Sequence, residues 1–172
     1  YILAVYSPYE KVDSGAGDDR IRAGTHSEIV AGDGNDWVYT SHNTTIDGGA
    51  GDDYLYGGRY MTIYGGEGND EIRAVDHATI DAGEGDDLVI TYGGSTIHGG
   101  AGNDIIIATE QRTTWVTEAQ GPGFHRTYGY NEIDGGEGDD YIQTTDNSTV
   151  RGGAGNDTIR LIGGGSTVMF DK

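Results

Sequence analysis

Aliphatic residues recur along this chain at a spacing of 17. One series runs Ile21, Val38, Leu55, Ile72, Val89, Ile106 and, after a gap, Ile142 and Ile159; a second runs Val12, Ile29, Ile46, Ile63, Ile80, Ile97, Ile133 and Val150. The immediate neighbours of each point to the opposite face when the segment is extended, because strand side chains alternate. Every period therefore predicts two short strands and two turns. A single strand pair cannot cover its own apolar face, so successive periods must stack, with each series forming one buried column. The expected fold is all-β, a parallel β-roll or β-solenoid of about nine 17-residue coils. At about 4.8 Å per coil such a rod is roughly 43 Å long.

The polar half of the period is a repeated turn. SGAGDDRIR (14–22), AGDGNDWVY (31–39), GGAGDDYLY (48–56), GGEGNDEIR (65–73), AGEGDDLVI (82–90), GGAGNDIII (99–107), GGEGDDYIQ (135–143) and GGAGNDTIR (152–160) share one register. The starts are 17 apart except from 99 to 135, a gap of 36. The fifth position alternates Asp18, Asn35, Asp52, Asn69, Asp86, Asn103, Asp139, Asn156 without a break. That parity predicts that coil 99–107 stacks directly on coil 135–143. Segment 108–134 then holds a 19-residue insertion, which TTWVTEA, QGPG and FHRTYGY mark as a β-hairpin. The alternation also avoids an unbroken file of acids one strand spacing apart. The chain reads as a single domain, 1–172. Residues 14–107 and 135–160 form stacked coils, 1–13 an N-terminal cap or donor strand, and 161–172 a C-terminal cap.

Composition narrows the chemistry. Of 172 residues, 32 are Gly and only 2 are Pro, which excludes collagen. Acids outnumber bases 29 to 10, a net charge of −19, which argues against nucleic acid or anionic lipid as partners. No apolar run reaches the roughly 18 residues of a membrane span. There is no Cys, hence no disulfide, zinc-thiolate site or thiol nucleophile. There is no HExxH or GxSxG, Glu110 and Glu118 are close only in sequence, and no catalytic site is expected. The Gly-rich turns lack the Lys-Ser/Thr of a phosphate loop, and DGND (33–36) lacks the flanking helices and bidentate Glu of an EF-hand.

What the turns do offer is oxygen. Gly permits positive φ and close approach of carbonyls, and the sixth-position Asp adds a carboxylate. Oxygen-only ligation suits a hard cation such as Ca²⁺, which takes roughly six to eight ligands, more than one turn supplies. An ion between each neighbouring pair of turns gives at most seven sites for eight turns, and −19 + 14 leaves −5 on the loaded rod.

The nonapeptide GGxGxDxUx, with U aliphatic, resembles the RTX family of haemolysin-type calcium-binding repeats. The resemblance implies a calcium-bound parallel β-roll in a secreted or surface protein, usually exported unfolded by type I secretion. It also implies ligands: carboxylates of Asp19, Asp36, Asp53, Asp70, Asp87, Asp104, Asp140 and Asp157, and carbonyls of Gly17, Gly34, Gly51, Gly68, Gly85, Gly102, Gly138 and Gly155. This chain departs from the family in its 17-residue period and in second turns such as SHNTT and YGGST that lack GxGxD. One calcium-binding edge is therefore expected. Ser14, Ala31 and Ala82 replace first-position Gly, a mild change if only the later Gly need positive φ.

The outward residues of the first strands form ladders. Trp37, Tyr39, Tyr54 and Tyr56 fit either a stabilising stack or a surface for glycan or self-association. Leu88, Ile90, Ile105 and Ile107 form an apolar patch that the hairpin is expected to cover. A Thr column (Thr45, Thr62, Thr79, Thr96, Thr149) lacks the second Thr rank of an ice-binding face. His26, His42, His77, His98 and His125 fall in no shared column with acidic partners, which argues against a transition-metal site. The functional expectation is a non-enzymatic, calcium-folded extracellular β-roll that is structural or adhesive, with end-to-end self-association one option. The alternative is a carbohydrate-binding or secretion-associated appendage of a secreted enzyme or toxin.

Overall fold

The computed structural model describes residues 2–4, 7–109 and 130–170, which contain eighteen strands and no helix. Odd-numbered strands, from β1 (Ile2–Ala4) to β17 (Thr158–Leu161), form one nine-stranded sheet. Even-numbered strands, from β2 (Lys11–Asp13) to β18 (Thr167–Met169), form the other. Neighbours in each sheet pair in parallel, so Val38 meets Leu55 in one and Ile29 meets Ile46 in the other. Across the sequence gap, β13 (Ile105–Ala108) lies on β15 (Tyr141–Thr144) with Ile106 opposite Ile142. Likewise β12 (Thr96–Ala101) lies on β14 (Glu132–Glu137) with Ile97 opposite Ile133. The hairpin expected between them falls on residues 110–129, outside the described residues.

Both aliphatic columns are buried along their length, except that Ile159 on the last coil is only partly covered. The interior is wider than two columns. At the second turn a file of small residues (Ala23, Thr40, Gly57, Ala74, Thr91, Ala108, Thr144) faces another (Ser27, Thr44, Met61, Ala78, Ser95, Asn131, Ser148), all buried. Size is matched across it: Met61 packs where a methyl on Gly57 would strike its side chain. On two coils the polar members satisfy one another, Thr91 bonded to Ser95 at 3.0 Å and Thr144 to Ser148 at 2.8 Å, while Thr44 Oγ1 donates to the Gly24 and His42 carbonyls and Thr40 Oγ1 has no partner. Asn131, the first buried residue after the gap, accepts from Ser95 N–H at 3.1 Å and donates to Thr144 Oγ1 at 3.2 Å. It thus restores the polar file where the chain rejoins the solenoid.

The second turn carries a left-handed residue on most coils: Tyr9, His26, Asn43, Tyr60, His77 and Asn147 all have positive φ. His26 and His77 share this column, three periods apart, with rings and asparagines rather than acids. The reading that no histidine shares a column with acidic partners is corrected at His98, which lies in register between Asp81 and Asp134; His125 lies outside the described residues. Tyr9 stacks on His26 and Tyr60 meets His77, each with centroids 5.0 Å apart. At the two ends, β1 and β2 add a coil with Leu3 opposite Ile21 and Val12 opposite Ile29. On the last coil Leu161, Ile162, Met169 and Phe170 are exposed.

Candidate metal centre

All eight Gly-Asp turns fall on one edge, in register. Three hydrogen-bond ladders tie each turn to the next. The fourth-position N–H donates to the third-position carbonyl of the following turn, as in Gly34 to Ala50 and Gly51 to Glu67, both 2.7 Å. The fifth-position N–H donates to the side chain of the preceding turn, as in Asn69 N–H to Asp52 Oδ1 at 2.8 Å. The alternation has a structural use here: Asn103 Nδ2 also donates to Asp86 Oδ1 at 3.1 Å, a bond that Asp could not make.

The third ladder concerns the sixth-position aspartates. Their carboxyls turn inward. Asp36, Asp53, Asp70, Asp87, Asp104 and Asp140 are each 1–2% or 3% exposed. In each, Oδ1 accepts the sixth-position N–H of the preceding turn, Asp36 N–H to Asp53 at 2.7 Å and Asp53 N–H to Asp70 at 2.8 Å being typical. Oδ2 of all six is buried with no hydrogen-bond partner. Asp157, on the last turn, is half-buried and accepts from Asp140 N–H at 3.1 Å, while Asp19 is buried at the other end and its N–H donates to Asp36 Oδ1 at 2.7 Å. The eight turns carry sixteen acids at their third, fifth and sixth positions. Half of them, the sixth-position set, face the interior.

Burial sets their acidity. It pushes the carboxyls of Asp53 and Asp140 up to about 6, Asp87 up to about 7 and Asp70 up to about 8. The accepted N–H partly opposes the rise, and neighbouring aspartates add to it. Asp36 and Asp104 are raised for the same first reason. A file of buried carboxylates that lacks a counter-charge is costly as an anion.

The fourth-position glycines stand beside this file. Gly17, Gly34, Gly51, Gly68, Gly85, Gly102, Gly138 and Gly155 all have positive φ, between 108° and 144°. From Gly34 onward a methyl on any of them would run into the fourth-position glycine of the preceding turn, so no other residue fits. Their carbonyls take no part in the backbone ladder between the described turns. A further oxygen escapes sequence reasoning. The α-carbon of Gly48 faces both its own turn's Asp53 Oδ2 and the carbonyl of Gly65, and Gly65 faces Asp70 Oδ2 and the carbonyl of Ala82. Gly99 and Gly135 repeat the arrangement with Asp104 and Asp140. A carboxylate of one turn and a first-position carbonyl of the next thus converge. Among the described residues, no three His, Asp or Glu side chains gather into a metal-holding group. A cation held here would need main-chain oxygens beside the aspartates.

A family model, the RTX calcium-binding nonapeptide repeat (4 copies), matches residues 27–42, 43–59, 62–74, 91–112, 127–145 and 144–166, more than half of the chain. The chain belongs to this family. No curated protein matches it. As an RTX calcium-binding β-roll, the chain has a donor set suited to the ion: unpartnered carboxylate oxygens and main-chain carbonyls, all hard oxygen. A calcium ion held there would bring two positive charges to the buried carboxyls.

The outer face of this RTX chain bears on the glycan reading. Tyr39 and Tyr56 stack at 4.8 Å with planes 2° apart, and Trp37 and Tyr54 lie at 6.1 Å and 6°. Arg22 covers the remaining face of Tyr39 at 5.2 Å. The ring faces are turned towards one another along the rod, leaving edges towards solvent. Stacking a sugar needs an open ring face. Among the described residues no helix is long and apolar enough to cross a membrane.

Proposed function

We propose that this chain is a calcium-folded structural rod of an extracellular or cell-surface protein, serving as an adhesive or assembly module and catalysing no reaction. The observation that supports it most is the file of buried Oδ2 atoms without partners, from Asp36 to Asp140. Such a file is tolerable only with a counter-ion or as protonated acid. In a medium with millimolar calcium the ion competes with the proton for these carboxyls, and binding free energy becomes folding free energy. The sixth-position aspartates and fourth-position glycines named above are the proposed ligands, on this edge alone. The second-turn edge, occupied by Tyr9, His26, Tyr60 and His77, holds no comparable oxygen set among the described residues.

Export before folding fits the same logic, since a chain kept unfolded at low calcium inside a cell would fold on reaching calcium outside. Between an assembly module and a carbohydrate-binding appendage, the ring of Tyr39, closed on one face by Tyr56 and on the other by Arg22, favours the first. Light scattering and electron microscopy during a calcium titration, with magnesium as control, test this. Concentration-dependent polymers that need calcium are expected. A monodisperse loaded chain that binds a glycan array would reverse the assignment.

A further inference from the structure

The eight turns are not equivalent, and the difference lies at their first position. Gly48, Gly65, Gly99, Gly135 and Gly152 do not have positive φ, so backbone conformation does not require glycine there. What glycine provides is space. A methyl at Gly48, Gly65, Gly99 or Gly135 would stand against both the turn's own Asp Oδ2 and the first-position carbonyl of the next turn. In two turns that methyl is present: Ala31 and Ala82 are both fully buried. In a third turn, Ser14 Oγ donates to the Ala31 carbonyl at 2.6 Å and occupies the oxygen that elsewhere is open.

We propose that calcium fills only four of the seven interfaces between turns, in two pairs, and that Ser14, Ala31 and Ala82 close the other three. This rests on the calcium reading above and narrows its ligand set, because Gly17, Asp19, Gly34 and Asp36 belong to turns that border no open interface. The open interfaces join turns 48 and 65, 65 and 82, 99 and 135, and 135 and 152. The closed ones join 14 and 31, 31 and 48, and 82 and 99. Calcium needs oxygens at about 2.3–2.6 Å, and a methyl between the carboxylate and the carbonyl supplies no ligand while holding both away. The presumption that alanine at the first position is a mild change holds for φ and fails for this space.

A second observation comes from the opposite side of the first sheet. At the closed interfaces each outward ring or large aliphatic side chain lies opposite a long or bulky neighbour. Arg22 covers Tyr39 across the first, and Trp37 meets Tyr54 and Tyr39 meets Tyr56 across the second. Across the third, Leu88 lies opposite Ile105 and Ile90 opposite Ile107. The open interfaces are more varied: Tyr54 lies opposite Glu71, Glu71 opposite Leu88, Ile107 opposite Gln143 and Tyr141 opposite Thr158, whereas Tyr56 opposite Arg73 and Ile105 opposite Tyr141 are built like the closed ones. Side-chain ladders hold the coils together where the ion is excluded, so the rod is two calcium-stapled segments joined by an apolar seam, with an aromatic-stacked segment at one end.

Native mass spectrometry of the full chain, stripped with chelator and reloaded with calcium, counts the ions. Four are expected, with Ala82→Gly raising the count to five and Gly65→Ala lowering it to three. Alanine already occupies the equivalent position at 31 and 82, so Gly65→Ala keeps an allowed backbone, and should it not fold, Ala82→Gly decides alone. Seven ions in the natural chain, or an unchanged count in Ala82→Gly, would overturn the proposal and leave calcium binding intact. No bound ion at all would instead overturn the calcium reading on which it rests.

Discussion

Replacing Asp70 by Asn separates the electrostatic role of the buried carboxylate from its packing role. Asp70 is 2% exposed; Oδ1 accepts Asp53 N–H at 2.8 Å and Oδ2 has no partner. Asn keeps the acceptor and the shape but removes the charge. Without calcium, burial and the neighbours Asp53 and Asp87 push the carboxyl from 3.8 up to about 8. Taken alone that rise is worth about 6 kcal/mol once the group is fully ionised in the folded state. Sharing of protons along the file and water entry reduce it to about 2–4 kcal/mol near pH 8. The sign follows from linkage. A folded-state value above the unfolded one stabilises the chain below about pH 4, and that stability is lost as pH rises through about 6 to 8. Chelated Asp70→Asn is therefore more stable than the parent at pH 8 and indistinguishable from it near pH 4. With calcium present the order reverses, because the variant has lost a ligand, and the calcium concentration needed for half-folding rises by about tenfold or more. Urea or thermal unfolding followed by circular dichroism, with and without chelator, measures both. Where the chelated parent is unfolded at pH 8, the relief is read as sheet signal gained by the variant. Equal destabilisation of Asp70→Asn in both conditions would refute the reasoning, since the carboxylate would then be a packing group only.

Other perturbations probe the remaining contacts. Gly66→Ala places a methyl against Gly49 at φ +121°, and should cost about 3 kcal/mol or more in urea unfolding even with calcium saturating. Asn69→Asp puts three acids in file with Asp52 and Asp86 and removes the Nδ2 bond to Asp52; about 0.5–1 kcal/mol is lost at low salt, and recovery at high salt is the diagnostic. Tyr56→Ala opens the face of Tyr39 and should cost about 1–2 kcal/mol in thermal unfolding, with little change in calcium stoichiometry.

The coil count, the two aliphatic columns and the pairing of Ile106 with Ile142 follow from the 17-residue period, because an in-register solenoid converts sequence spacing directly into contact. Period alone does not say where a turn residue points. The sixth-position aspartates turn inward because Oδ1 finds the N–H of the turn before it, a tertiary bond with no signature in spacing. The first-position carbonyls that converge on Oδ2 are main-chain atoms, invisible to residue type, although Gly at 48, 65, 99, 135 and 152 against Ala at 31 and 82 was the trace they left. The place of His98 between Asp81 and Asp134 was within reach of the same arithmetic, since the three lie on successive coils once the insertion is set aside. The interior file around Ser27, Thr44 and Ser95 looked like turn surface, since small polar residues are common in both settings.

The central claim is that calcium holds the turns together by neutralising the buried aspartate file. Its most direct measurement is the far-ultraviolet sheet signal and melting temperature of the whole chain at pH 8 after exhaustive chelation, then after restoring millimolar calcium or magnesium. The account predicts a lost sheet signal that calcium restores and magnesium does not. An undiminished signal with an unchanged melting temperature in the chelated chain would contradict it.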